Sequence, residues 1–170
     1  ITFDSVLNSV ADRCVGSHRY NVTVKTEGGH SFGAFGNRNA IHYLSSIINT
    51  LYTVKVPEED GSKTTYNVGT ISGGTSVNTI AQEAEMLYEY RSDNRNCLQK
   101  MQETFEQVIA AYRTMGIDVE VEWLGERPCA GELDPVRRQA LLNRAAESVR
   151  AITGLEPSCA GANALIPSVL

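Results

Sequence analysis

No apolar run in this 170-residue chain approaches the ~20 residues of a membrane-spanning helix. Lysine and arginine are outnumbered, the net charge is −5, and no basic stripe interleaved with aromatics marks a nucleic-acid footprint. The N-terminal stretch Ile1–Ala11 lacks the basic region of a secretory leader. Cys14, Cys97, Cys129 and Cys159 stand far apart and form no C-x-x-C, so a zinc knuckle or thioredoxin-type site is not expected. They read as the free thiols of a cytoplasmic protein; a secreted protein with two long-range disulfides is the alternative. These absences exclude nucleic acid and membrane as partners. What remains is an ordinary globular composition, long enough for one domain with a real core.

The patterning that is present alternates between strand and helix periods. Tyr20, Val22 and Val24 point one way along His18–Lys25, and Arg19, Asn21, Thr23 and Lys25 the other, as in a strand with one buried face. A glycine-rich loop, Thr26–Arg38, follows. Asn39–Leu51 carries Ala40, Leu44, Ile47, Ile48 and Leu51 at helical spacing, with Asn37 or Asn39 as cap. Thr64–Ser72 reads as a second strand and Ile80–Arg91 as a long third, antiparallel to it. A helix begins at Asp93 or Asn94, presents Leu98, Met101, Phe105, Val108, Ile109 and Tyr112, and ends at Gly116. Ile117–Trp123 is a fourth strand.

The order β-α-β-β-α-β predicts an α+β, ferredoxin-like sandwich: four antiparallel strands with both helices on one face. Beyond a break at Gly125–Gly131, Asp134-Pro135 opens another helix, with Val136, Ala140, Leu141, Ala145, Val149 and Ile152 on one face and Gly154 at its end. Residues 1–16 and 125–170 fall outside the sandwich, which occupies 17–124. They read as parts of a second domain into which the sandwich is inserted.

Gly28-Gly29-His30-Ser31, directly after the first strand, is the most informative stretch. Gly28 and Gly29 allow close backbone approach to a ligand, and the imidazole of His30 donates a hydrogen bond at neutral pH. A glycine turn with a surface histidine is the plainer reading of that tetrapeptide alone. Gly73-Gly74-Thr75-Ser76-Val77-Asn78 is a second glycine turn, and Asn78 offers an amide donor or an ordinary turn residue. In Tyr90-Arg91-Ser92-Asp93, Arg91 is suited to bidentate carboxylate binding. The plainer reading is a surface pair with Asp93 or Glu89.

Taken in order with Arg19–Val24 and Asn39-Ala40-Ile41, these blocks resemble the lid, or dimerisation, domain of the di-zinc aminoacylase/carboxypeptidase family. That family includes acetylornithine deacetylase, succinyl-diaminopimelate desuccinylase and tripeptide aminopeptidase. The resemblance spans roughly Val15–Asp134. It implies that His30 stabilises the developing oxyanion of amide hydrolysis, reached across a homodimer into the neighbour's active site. It further implies that Asn78 and Arg91 bind a small peptide or N-acyl amino acid substrate, and that the dimer forms through helix Asn39–Leu51 and an edge strand.

Two zinc ions are implied for the parent enzyme. The resemblance makes residues 1–16 and 125–170 parts of that family's α/β catalytic domain, but its H-x-D motif does not occur here, the adjacent pair Glu58-Glu59 sits in a charged turn before Asp60-Gly61, and His18, His30 and His42 are single. No metal is therefore expected in this segment, nor activity from it alone. The tail Ser158–Asn163 with Ile166-Pro167 matches the family's corresponding segment poorly. A non-enzymatic ferredoxin-like dimerisation or small-molecule-binding module shares the same layout.

Overall fold

The computed structural model describes residues 9–129, 131 and 134–162. The expected contributions of Ile1–Asn8, Asn163 and the apolar run Leu165–Leu170 lie outside the described residues.

Strands β1 (Ser9–Cys14), β2 (Gly16–Lys25), β3 (Gly29–His30), β4 (Thr64–Gly73), β5 (Thr79–Ile80), β6 (Glu83–Ser92), β7 (Asp118–Arg127) and β8 (Ser158–Ala162) alternate with helices α1 (Ala40–Tyr52), α2 (Arg95–Thr114) and α3 (Pro135–Thr153). The main sheet is four-stranded, in the order β4-β6-β2-β7, and every neighbouring pair is antiparallel. This is the α+β ferredoxin-like arrangement read from the sequence.

Alternation along the strands sends Tyr20, Val22, Val24, Met86, Tyr88 and Tyr90 to one face. There they meet Leu44, Ile47 and Leu51 of α1 and Met101, Phe105 and Ile109 of α2 in one core. Each such aliphatic or aromatic side chain contributes about 1.5–3 kcal/mol on burial. The caps are local: the Asn39 side chain accepts from the Ile41 and His42 amides, and that of Asn94 from Cys97. The opposite face of the sheet is a polar ladder, with Asn21 bonded to Glu85 and Lys25 to Glu120.

The expected third strand is not continuous. It divides into β5 and β6 at Ala81–Gln82, because the carbonyls there serve other partners. Gln82 O accepts from Thr26 N (2.8 Å), while Ala81 O accepts from Thr26 Oγ1 (2.8 Å) and from Ala40 N (2.9 Å). The fourth strand runs past Trp123 to Arg127, across a bulge opposite Arg19 and Tyr20.

The remaining elements form their own unit. Strand β1 pairs in parallel with β8, apart from the main sheet, and α3 lies against β1. Asp134 caps α3 and Gly154 ends it in a left-handed conformation. None of α3's described residues is buried; its apolar positions Val136, Leu141 and Ile152 are exposed.

Candidate functional site

The His30 loop is held by its backbone. Gly28 has φ +61° and Gly29 φ +132°. A Cβ on Gly28 would stand 2.1 Å from the Gln82 side chain and 2.8 Å from the Ile80 carbonyl oxygen, so this crossing admits only glycine. Strand β3 then pairs with β5, placing His30 opposite Thr79, and Ser31 N donates to Asn78 O at 2.9 Å. The two glycine turns of the sequence thus meet. Ala34 N donates to His30 O (2.8 Å), and the Asn37 amide returns to Gly28 O (2.7 Å), closing the turn on itself.

The ring is oriented by the same turn. His30 Nδ1 accepts from the Phe32 and Gly33 amides at 3.3 and 3.4 Å. In the neutral ring the proton therefore sits on Nε2. His30 is exposed, so it offers a single N–H donor from a fixed loop. Asn78, also exposed, has its Oδ1 engaged by Ser76 Oγ at 2.7 Å, which leaves its NH2 group to donate. Gly73 passes close to Ala84, and Gly74 sits against Ile41 of α1, so the second turn is as tightly placed as the first.

Arg91 stands elsewhere. It pairs with Ser17 at the start of β2, whereas the His30 loop leaves the end of β2. The two are separated by eight strand residues, about 25 Å at ~3.3 Å per residue. Arg91 Nε and Nη2 both bond Glu89 at 2.9 Å, and Arg19 Nε reaches the same carboxylate at 3.3 Å. Burial pushes the Glu89 carboxyl up, but the two guanidiniums outweigh it and hold it below the usual range.

Sequence reasoning did not single out the residues beside Arg91. Ser17 lies in register between Arg91 and Arg127, and its Oγ is buried without a hydrogen-bond partner. A polar atom so placed is costly unless something bonds it. The available sequence signal was the position of Ser17 opposite two arginines, legible only once strand register is known.

His18 is a core residue. Its Nδ1 bonds Tyr90 Oη at 2.8 Å, which in turn bonds Tyr20 Oη at 2.7 Å. Burial lowers its pKa from the ordinary value, against a partly opposing pull from Glu126 at 3.8 Å. A cleft of about 380 Å³ beside it, lined by Leu98, Gln102, Glu103 and Glu106 among others, is at the Arg91 end and does not include His30. Among the described residues no three His, Cys, Asp or Glu side chains come together as a metal site. Cys14, Cys97 and Cys129 are free. No described helix is long and apolar enough to cross a membrane.

Comparison with known proteins agrees with the fold. Succinyl-diaminopimelate desuccinylase of Nitrosococcus oceani is 27% identical over 121 residues, which cover 69% of this chain and 30% of that protein. Aminopeptidase PepT of Bacillus cereus superposes with a TM-score of 0.64 at 24% identity, over 96% of this chain and 42% of that one. An amidase of the hydantoinase/carbamoylase family from Burkholderia phymatum gives a TM-score of 0.71 at 17% identity, over 92% and 39%. At these identities the structural likeness shows the fold alone. The chain spans less than half the length of each of these relatives. Residues 15–114 match the peptidase dimerisation domain, and the chain belongs to that family.

Proposed function

We propose that residues 17–124 are the dimerisation and lid unit of a longer zinc-dependent amidohydrolase or peptidase. Residues 1–16 and 125–170 then belong to its catalytic half. Parallel pairing of β1 with β8, apart from the main sheet, supports that division. So do the exposed apolar positions of α3, which have no partner surface among the described residues. The substrate class is a peptide or N-acyl amino acid, hydrolysed at its amide bond, and the compartment is the cytoplasm.

The observation that carries the reading is the His30 ring, held with Nδ1 on two backbone amides and Nε2–H as the outward donor. A donor fixed where negative charge develops on a carbonyl oxygen is worth about 3–4 kcal/mol in the transition state. The zinc pair supplies the activated water and a Lewis acid; its ligands lie in the rest of the enzyme.

The two ends of the sheet serve different active sites in this reading. Arg91, with Ser17 and Arg127 in register, stands where β2 and β7 join the catalytic half of the same subunit, and binds the substrate's carboxylate there. His30 and Asn78, at the far end, serve the site of the other subunit. The homodimer forms through α1 and the edge strand β4. An unpaired antiparallel edge invites a second chain, and Ile71 and Tyr52 are exposed beside it.

The test is hydrolysis by the full-length protein, loaded with zinc or cobalt, of a panel of N-acyl amino acids and di- and tripeptides. Wild type should turn over at least one class, and His30→Ala should lower kcat. Absence of amide hydrolysis across the panel would overturn the reading.

A further inference from the structure

The tip of the His30 loop carries two phenylalanines in water. Phe32 is 91% exposed and Phe35 90%, and Val77 in the neighbouring turn is fully exposed. Large apolar side chains grouped on a surface mark an interaction site. Among the described residues nothing covers them: the core lies between the sheet and its two helices, and Phe32 and Phe35 are outside it. The loop that presents them is fixed. The Phe32 amide itself holds the His30 ring, and Asn37 locks the turn to Gly28. The Phe32 backbone and the His30 ring thus belong to one closed turn, and a surface that receives the imidazole also meets the neighbouring Phe32 side chain.

We propose that Phe32 and Phe35 are an apolar wedge that docks on the catalytic half of a second copy of this protein, sealing water from the site where His30 acts. The inference rests on the reading that His30 works across the dimer. Two observations select a second copy as the occupant. The chain belongs to a peptidase dimerisation family while spanning about 30–42% of the length of the relatives described above, so most of the surface available to the wedge lies in the rest of the protein. Its own catalytic half joins at the opposite end, through Gly16 and Arg127, about 25 Å of strand away. Exclusion of water would strengthen the His30 hydrogen bond to a developing oxyanion.

The experiment mixes subunits of the full-length enzyme. Phe32→Ser/Phe35→Ser should leave the subunit fold intact by circular dichroism, because both residues are exposed in the single chain, and should lose about tenfold or more in kcat/KM. Phe32→Leu/Phe35→Leu should retain most of the activity. Re-pairing the double-serine subunit with one inactivated in its catalytic half should restore activity, to about a quarter of wild type for random re-pairing. Hydroxyl-radical footprinting should find Phe32 and Phe35 protected in the wild-type dimer and labelled in dissociated subunits.

His30→Ala is mixed in parallel. Restoration for His30→Ala without restoration for the double-serine subunit overturns the wedge and leaves the shared site standing. Restoration for neither overturns both. Wild-type kcat/KM in the double-serine variant, or full labelling of both phenylalanines in the dimer, also overturns the wedge.

Discussion

The two ends of the main sheet are built in opposite ways. At the end where β2 begins, most side chains satisfy one another: His18 with Tyr90, Tyr90 with Tyr20, Arg91 and Arg19 with Glu89, Thr64 with Ser92. At the end where β2 finishes, the backbone is organised by glycines, short strand pairs and turn hydrogen bonds, while Phe32, Phe35 and Val77 remain exposed. The first end is, apart from the buried Ser17 hydroxyl, satisfied within one chain. The second is held by backbone hydrogen bonds and, among the described residues, uncovered. Breaking the buried hydroxyl network at the first end should therefore be felt mainly in stability, and removing the exposed imidazole at the second in activity.

The largest effect is expected from His30→Ala in the full-length enzyme: a fall in kcat of about 100–1000-fold with an unchanged melting temperature, read by steady-state kinetics and calorimetry. An equal loss of stability would erase the contrast between the ends. Gly28→Ala comes next. Its positive φ and the approach of Gln82 and Ile80 should cost about 1–3 kcal/mol and displace the His30 ring, so kcat should fall along with the local stability measured by hydrogen exchange.

At the other end, Tyr90→Phe removes the hydroxyl between His18 and Tyr20. Both partners are buried, so denaturant unfolding should show a loss of about 1–3 kcal/mol with kcat retained. Burial and its contact with Tyr20 push the Tyr90 hydroxyl well above its ordinary pKa, so it stays protonated throughout the working range.

The same network predicts a pH dependence. The pKa of His18 is lowered by folding, so below the ordinary value of 6.5 the unfolded chain takes up the proton first. Stability should be full above that pH and decline as the pH falls through and below it. His18→Gln should flatten that part of the curve. A second decline should follow at lower pH, as Glu89, Glu27 and Glu59, all held below the usual carboxylate range by arginine or lysine partners, become protonated. The smallest stability effect belongs to Arg91→Ala, about 1 kcal/mol or less for a partly exposed ion pair, and its proposed carboxylate-binding role predicts a raised KM in steady-state kinetics.

Much of the fold was legible because side-chain periodicity and caps are local. Val22 and Val24 against Arg19 and Asn21, Asn39 and Asn94 as caps, and Gly154 after α3 each report on a few neighbouring residues. The division of β5 from β6 was not legible, since Ala81 and Gln82 continue the alternation and are diverted only by Thr26 and Ala40, distant in sequence. The site was partly legible for the same reason. The Gly-Gly-His order identifies the loop, but the orientation of His30 Nδ1 toward its own turn, and the meeting of that turn with Asn78, depend on β3–β5 pairing. The opposition of Arg91 to His30 follows from strand register. The buried hydroxyl of Ser17 between two arginines becomes visible only across three strands.

The central claim is that a rigid lid loop lends its imidazole to another subunit. The most direct measurement is the activity of a randomly re-paired equimolar mixture of His30→Ala subunits and subunits inactivated only in the catalytic half. The account predicts recovery to about a quarter of wild type, because the His30→Ala subunit's catalytic half meets an intact loop. Activity no greater than the sum of the two inactive parents would contradict it.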